Sequence, residues 1–275
     1  MRVLGAWMDL VKSAEVFHFI SEKIASGQKT IVANHNLHSI HLMQRNADLR
    51  AFFEKADLIE VDSIPLIAWA RFIGRPSRRF HRCTYLDWRR EFWDQASTKG
   101  WRVFFVGGKE GVGEQAAEHI RQRCPRIHLG TYHGYFDLNQ GSPGNEAVLQ
   151  EIAAFQPDVL LVGMGMPRQE LWILDNFDHL PVCAILPVGG AFDYEAGVQT
   201  PAPRWIGQLG AEWIFRLVSR PSRMFARYCV EPWALSSAAL HDILGFLGQR
   251  FRYFNRRSSS GGFANGAVNS KASRA

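Results

Sequence analysis

The chain has 275 residues, a hydrophobic fraction of 47%, four cysteines and a formal net charge of +6 at pH 7. This length allows one large domain or two small ones, with a core that needs neither disulfides nor a metal. No two cysteines form a CxxC pair, so the sequence indicates neither a zinc site nor a secreted disulfide framework, and we expect a reducing, cytoplasmic setting.

Up to about residue 200, continuous apolar runs alternate with helix-like segments. The runs that predict strands are residues 29–34, 57–61, 101–108, 126–132, 158–165 and 182–190. The segments that predict helices are residues 38–55, 113–124 and 145–155. Apolar strands separated by amphipathic helices predict a doubly wound, mostly parallel, Rossmann-like α/β sheet that helices cover on both faces.

The C-terminal part has a different pattern. Residues 201–257 carry 9 Arg, no Lys and 3 acids, whereas residues 1–200 carry 21 basic and 23 acidic side chains. Residues 203–257 read as helices punctuated by Pro221 and Pro232, and the low-complexity residues 258–275 predict a disordered tail. We therefore expect three parts: an α/β core over 1–200, a basic aromatic helical appendage over 201–257, and the tail.

Asp62 stands where a buried strand should end, directly after "LIEV". Ligands of doubly wound folds bind outside the carboxyl ends of the strands, so this carboxylate could accept a proton from a substrate hydroxyl. Alternatively, Asp62 caps the following helix, because Asp is a preferred N-cap residue.

Three glycine turns follow predicted strands. The first, "VGGKEGVGEQ", contains Gly107 and Gly108 and could bring backbone N–H groups to a phosphate, although it is neither a clean GxGxxG nor a P-loop. An ordinary strand-to-helix turn is the alternative. The other two turns provide further candidate ligand residues: Gly163, Gly165, Arg168 and Gln169 in "GMGMPRQELW", and Gly189, Gly190, Asp193 and Glu195 in "PVGGAFDYEAG". Solvent-exposed loop positions would explain the charged side chains equally well.

Asn36 and His38 are candidate polar groups after the first predicted strand. His35, His38 and His41 imitate a metal cluster, but at helical spacing successive members rotate by about 60°, so we expect no metal. In the appendage, Arg216, Arg220, Arg223 and Arg227 would form one basic stripe on a continuous helix, which Pro221 is expected to split. Such a stripe with aromatic neighbours is typical of a membrane-surface or polyanion-binding helix, and also of a solvated helix face.

Several motifs together give the chain a specific resemblance. In order and spacing it resembles the WecG/TagA/CpsF family of bacterial glycosyltransferases from about residue 30 to about residue 230. The matching pieces are "NLH" (36–38), "ADLIEVDSIPL" (56–66), "RCTYLD" (82–87), "RVFFVGGKEGV" (102–112), "HGYF" (133–136), "PDVLLVGMGMPRQELWI" (157–173), "VGGAFDYEAG" (188–197) and "APRWIGQLGAEWIFRL" (202–217).

The resemblance implies an inverting, metal-independent transfer of a ManNAc-, ManNAcA- or glucose-class sugar from a UDP-sugar to a polyprenyl-diphosphate-linked saccharide. The product would belong to a cell-surface polysaccharide, and the protein would lie on the inner face of the cell membrane through its appendage. No cofactor and no nucleic-acid partner are implied, and a homo-oligomer is left open. The remaining alternatives are an NAD-dependent oxidoreductase and a non-catalytic polyanion-binding protein.

The resemblance also assigns residues. It places the general base on Asp62, with Asn34, Arg82 and Gln169 as further catalytic residues, although the family has Thr where this chain has Asn34. Tyr85 replaces a family glycine, and Ser63 and Pro65 replace two more. The implied substrate-binding residues are Asn36, His38, Thr84, Asp87, Gly107, Gly108, Gly163, Gly165, Arg168, Gly189, Gly190, Asp193, Arg216, Arg223 and Arg227.

Overall fold

The computed structural model of the protein describes residues 1–200, 206, 212–219 and 221–260. The chain starts with a two-stranded antiparallel hairpin, β1 (Arg2–Val3) and β2 (Ala6–Trp7). The main sheet has six strands, all parallel, in the order β4-β3-β8-β7-β5-β6. They are β3 (Thr30–His35), β4 (Leu58–Val61), β5 (Arg102–Gly107), β6 (His128–Tyr132), β7 (Val159–Gly163) and β8 (Ala184–Pro187). The predicted doubly wound parallel sheet is confirmed.

Helices cover both faces of this sheet. In the core they are α1 (Ser13–Ser26), α2 (Leu37–Met43), α3 (Ala47–Lys55), α4 (Ile64–Phe72), α5 (Tyr85–Lys99), α6 (Val112–Arg123), α7 (Pro143–Phe155), α8 (Arg168–Asn176) and α9 (Ala191–Glu195). Short 3₁₀ turns lie at Arg79–His81 and Phe177–His179.

Successive residues of the central strands point to opposite faces, and both faces are apolar. Ile31 and Ile59 pack with α2, α3, α4, α7 and α8, whereas Val32 and Leu58 pack with α1, α5, α6 and α9. Burial on both faces explains why the strands read as unbroken apolar runs rather than as alternating ones.

The single helix predicted over residues 38–55 is wrong, because the chain forms α2 and α3 there. The Asn36 side chain accepts a hydrogen bond from the backbone N–H of Ser39 at the start of α2. Asn46 does the same for Leu49 at the start of α3. Asn is a strong N-cap residue, so Asn46 begins a second helix inside a segment whose apolar spacing reads as one.

The C-terminal segment contains α10 (Glu212–Ser219), α11 (Pro221–Phe225), a π-helical turn (Ala226–Val230), α12 (Glu231–Ala234) and α13 (Ser236–Ser260). Pro221 is the first residue of α11, and residue 220 lies outside the described part, so the predicted helix break at Pro221 stays a prediction. Helix α13 continues to Ser260, three residues beyond the point where the tail is predicted to begin, and residues 261–275 lie outside the described part. Of the described helices, none combines the length and the hydropathy that crossing a bilayer requires.

Helix α13 is fastened to the N-terminal part of the chain through Asp242. One carboxylate oxygen, Asp242 Oδ2, accepts hydrogen bonds from the Leu4 backbone N–H at 2.8 Å and from Trp69 Nε1 at 3.0 Å. Leu235 is buried in the core at the start of the helix, and Phe246 lies over Gly74, beyond the end of α4. One face of α13 therefore packs against the core.

We expect Asp242→Ala to lower the free energy of unfolding by about 1–3 kcal/mol, because it leaves two partly buried donors without their acceptor. Asp242→Asn should lose much less, since one amide oxygen can accept from both donors. Chemical denaturation of the two variants and of an exposed control, His241→Ala, measures the difference. Equal losses for the Ala and Asn variants would contradict the assigned contacts.

Candidate active site

Because all six strands of the main sheet are parallel, their carboxyl ends meet at one edge. The residues that this brings to the edge are Asn36 after β3, Asp62 after β4, Gly107 and Gly108 at the end of β5, Gly163 and Gly165 at the end of β7, and Gly189 and Gly190 after β8. The edge therefore collects residues that lie up to about 150 positions apart in the sequence, and it is the candidate active site.

Asp62 directly follows the last residue of β4, and it does not cap α4, the next helix. Its backbone N–H donates to the His35 carbonyl at 2.9 Å, and the N-cap of α4 is Ser63, which accepts from the Leu66 N–H. The helix-cap alternative for Asp62 is therefore wrong. The side chain is partly exposed at the edge, where a substrate hydroxyl could reach it.

Arg82 lies beside the end of β4 because its backbone pairs with Val61 of that strand. Val61 forms an isolated parallel bridge with Arg82, and the Cys83 N–H donates to the Val61 carbonyl at 3.0 Å. Thr84 Oγ1 donates to Asp87 Oδ2 at 2.9 Å, and Arg82 Nη1 lies 3.7 Å from the same carboxylate oxygen. Arg82, Thr84 and Asp87 thus form one connected group beside the end of β4.

Glu60 is a buried carboxyl group that sequence reasoning missed. It precedes Asp62 by two positions and pairs in register with Asn34 of β3. Only 4% of Glu60 is exposed, and its Oε1 has no hydrogen-bond partner among the described residues. Burial, and secondarily the charge of Asp62, raises the pKa of Glu60 to about 8. Glu60 is therefore protonated at neutral pH, and the charge next to it belongs to Asp62.

The glycine turns approach one another more closely than side chains would allow. A Cβ on Gly107 would lie 2.4 Å from the Gly163 carbonyl oxygen, and one on Gly163 would lie 2.6 Å from the Gly189 oxygen. Gly108, Gly165 and Gly189 have φ angles of +67°, +78° and +55°. Gly107 and Gly163 therefore require glycine for space, and Gly108, Gly165 and Gly189 favour it for backbone conformation.

Gln169 fastens two of these turns together. Its buried Oε1 accepts from the backbone N–H groups of Gly165 and Gly189, each at 3.1 Å, and its Nε2 donates to Glu170 Oε1 at 2.7 Å. Burial raises the pKa of Glu170 to about 7. In this arrangement the amide of Gln169 holds the shape of the site, which makes Gln169 a positioning residue.

Other candidate residues make contacts within the fold. Asn34 Nδ2 donates to the Pro187 carbonyl at 2.9 Å and so ties β3 to β8. Asn36 caps α2, as described above. Arg168 Nη2 donates to the Gly134 carbonyl at 3.3 Å. Glu195 is buried among Tyr85, Arg89 and Arg123, so it is neither the candidate ligand residue nor the exposed loop position that the sequence suggests.

His38 links the core to the appendage. Its Nδ1 lies 2.5 Å from Glu231 Oε2 of α12, and both side chains are largely shielded from solvent. Burial lowers the pKa of His38, the charge of Arg227 lowers it further, and the hydrogen bond to Glu231 opposes them. Arg227 therefore lies close to His38, whereas the side chains of Arg216 and Arg223 lie outside the described residues.

His35, His38 and His41 do not lie on one helix, although the argument from their spacing assumed that they do. His35 belongs to strand β3 rather than to a helix, and its Nδ1 lies 2.9 Å from Ser39 Oγ on the face opposite Asp62. Within the described part of the chain, no three His, Cys, Asp or Glu side chains are arranged to hold a metal ion.

Comparison with known proteins places the chain among glycosyltransferases. A sequence profile of the glycosyl transferase WecG/TagA/CpsF family matches residues 1–247. Relatives include two proteins of Staphylococcus aureus, strains MRSA252 and NCTC 8325 / PS 47, each named N-acetylglucosaminyldiphosphoundecaprenol N-acetyl-beta-D-mannosaminyltransferase. Each is 29% identical over 198 residues, covering 68% of this chain and 75% of the relative.

We expect Glu60→Gln to become progressively more stabilising, relative to the parent chain, as the pH rises from about 4.5 to about 8. In this window the folded chain keeps a proton on Glu60 that the unfolded chain releases, so the stability of the parent falls with pH by up to about 1.4 kcal/mol per pH unit. Thermal unfolding across this pH range measures the difference, with the exposed Glu54→Gln as control. A difference that does not change with pH would refute the assignment.

Proposed function

The chain belongs to the WecG/TagA/CpsF family of glycosyltransferases, as its motifs predict, and from this premise we propose that it moves an N-acetylmannosamine-class sugar from a UDP-sugar to N-acetylglucosamine on a polyprenyl diphosphate. The names of the relatives supply the sugar and the acceptor, and the site supplies the chemistry. The observation that carries the proposal is the position of Asp62. It stands beside Arg82, outside the cap of α4, on the sheet edge that also holds the glycine turns.

The donor nucleotide would lie across the glycine turns. The turn after β5 leads into α6, and the turn after β7 leads into α8, so backbone N–H groups at two helix starts face the edge. Such groups bind phosphate oxygens through hydrogen bonds and the helix dipole. The contact between Gln169 and the N–H groups of Gly165 and Gly189 fixes the turns before the nucleotide binds, which reduces the entropic cost of ordering them.

Transfer then requires one base and one displacement. Asp62 accepts the proton of an acceptor hydroxyl while that oxygen attacks the anomeric carbon of the donor sugar. The bond from this carbon to the UDP oxygen breaks, its electron pair leaves with the diphosphate, and the configuration inverts. Glu60 supports the step by remaining protonated, so it adds no second negative charge beside Asp62.

The leaving diphosphate gains negative charge, which preorganised positive groups stabilise. We assign this role to Arg82 beside Asp62, to the N-terminal amides of α6 and α8, and to Arg227 of the appendage, with Arg216 and Arg223 as further candidates. Contact of His38 with Glu231 brings Arg227 toward the edge, so the appendage would complete the site. No metal cofactor is part of this proposal.

We expect Asp62→Asn to lower transfer by at least about 10²-fold, because general-base catalysis contributes on that order or more, while UDP binding stays unchanged. The measurements are sugar transfer from a panel of UDP-sugars to a lipid-diphosphate acceptor, and the rise in melting temperature with UDP. Asp48→Asn, on the exposed surface of α3, is the control. Unchanged turnover in Asp62→Asn would remove it from the mechanism, and stabilisation by NADH but not by UDP would favour an oxidoreductase instead.

We also propose peripheral membrane association, which the outer face of α13 supports. Leu240, Leu244, Leu247 and Phe251 recur at intervals of four, three and four residues, so they form one apolar stripe, and each is between 54 and 67% exposed. Asp242 and Phe246, which contact the core, lie on the opposite side of the helix. Arg250 and Arg252 lie beside the stripe, and exposed leucines flanked by arginines are typical of a helix that lies in the interface of an anionic membrane.

We expect the double substitution Leu244→Gln and Leu247→Gln to reduce binding to phosphatidylglycerol-containing vesicles by at least about tenfold, because two apolar side chains no longer leave water. Co-sedimentation measures binding. Gly245→Ala on the same helix is the control, since it leaves the stripe intact. Equal sedimentation of the double variant and the control would contradict the membrane role of α13.

A further inference from the structure

A groove of about 410 Å³ opens beside the candidate active site. Its floor is one face of α4, formed by Ile64, Ile67, Ala68 and Phe72, and its rim is formed by Arg71, Arg78 and Arg79. The volume is within the range of small-molecule sites. Because α4 begins at Ile64, the groove starts two residues after Asp62.

The floor is apolar without belonging fully to the core. Leu66 and Ala70 of α4 are completely buried, and they point toward the sheet. The groove residues recur at intervals of three, one and four along the helix, so they share another face, where Phe72 is 63% exposed. An apolar helix face open to water beside an active site is typical of a surface that a ligand covers.

The rim is strongly basic. Between Asp62 and Asp87 the sequence has five arginines and no acidic residue. Arg78 and Arg79 lie at the start of the 3₁₀ turn Arg79–His81, and the next residue is Arg82, which pairs with Val61 next to Asp62. Along the chain, a line of arginines therefore runs from the rim of the groove to Arg82, whose backbone pairs with Val61 next to Asp62. Guanidinium groups bind phosphate oxygens with two parallel hydrogen bonds, so the charge of this line matches a diphosphate.

We propose that this groove binds the diphosphate and the first isoprene units of the lipid-linked acceptor. The isoprenoid carbons would cover Ile64, Ile67 and Phe72, and the diphosphate would contact Arg78 and Arg79. The acceptor sugar, attached on the other side of the diphosphate, would then reach Asp62. This inference rests on the proposed function, because it takes the acceptor from there.

The direction of the groove agrees with this assignment. The neighbouring face of α4 carries Trp69, which donates to Asp242 of α13, and Phe246 of α13 lies over Gly74 beyond the end of α4. Helix α13, whose outer stripe is assigned to the membrane, therefore packs on the face of α4 next to the one that forms the groove. A lipid that leaves the groove past Phe72 would enter the apolar phase on which α13 lies.

The test uses the full chain with farnesyl diphosphate as a short probe of this lipid class, and inorganic diphosphate and farnesol as its separate halves. We expect Ala68→Glu and Arg78→Gln each to weaken farnesyl diphosphate binding by at least about tenfold, while UDP binding stays unchanged. Arg90→Gln, on the exposed face of α5, is the matched control. Ala68, Arg78 and Arg90 are all exposed, so these substitutions leave the core intact.

Farnesyl diphosphate binding that is equal in the parent, Ala68→Glu and Arg78→Gln would overturn the groove assignment. Inorganic diphosphate or farnesol binding as tightly as farnesyl diphosphate would overturn it as well, since the groove is assigned to both halves together. These results are separate from the proposed function, which fails if UDP does not bind or if Asp62→Asn keeps its turnover. In steady-state transfer, the groove variants should raise KM for the lipid acceptor and leave KM for the UDP-sugar unchanged.

Discussion

The close approach of backbone at the ends of β5, β7 and β8 is the constraint on which the candidate site depends. No side chain fits at Gly107 or Gly163, because a Cβ there would overlap the carbonyl group of the neighbouring strand end. The backbones at the three strand ends can therefore approach one another without intervening side chains. Gln169 then uses one buried oxygen to hold two of these turns at a fixed separation. The surface that we propose for the nucleotide diphosphate is thus shaped by the absence of side chains at Gly107 and Gly163 and by the amide of Gln169.

The other half of the site depends on the distribution of charge around β4. Two carboxyl groups two residues apart on the same side of a strand would repel each other if both were ionised. Burial of Glu60 prevents this, because its raised pKa keeps it neutral and leaves the charge on Asp62. Pairing of Val61 with Arg82 then brings Arg82 to the end of β4 without a regular strand. Asp62, the proposed base, and Arg82 are thereby both positioned by backbone hydrogen bonds at the end of β4.

The sequence predicts the sheet well because both of its faces are buried, which leaves long apolar runs with clear ends. It also predicts which residues reach the carboxyl edge, since that follows from strand ends and parallel order alone. It fails where a single polar side chain decides the structure, as at Asn46, which starts a second helix within one apolar pattern. Glu231 was missed for another reason, because its partner His38 lies 193 positions away in the sequence. Glu60 and the buried contacts of Gln169 were missed because burial is decided by the packing of the whole fold. Only for Glu60 was there a local signal, a carboxyl group inside the apolar run "LIEV".

Helix α4 connects these separate features. It begins two residues after Asp62, it buries Leu66 and Ala70 against the sheet, and it uses Trp69 to hold α13. Its remaining face is the apolar groove with the arginine rim. A substrate with a sugar, a diphosphate and a hydrocarbon chain has the same order of chemical groups as the path from Asp62 along the arginines to the outer end of α4. Because Trp69 joins α4 to Asp242 of α13, the proposed acceptor groove and the proposed membrane face lie on two helices that one partly buried hydrogen bond connects.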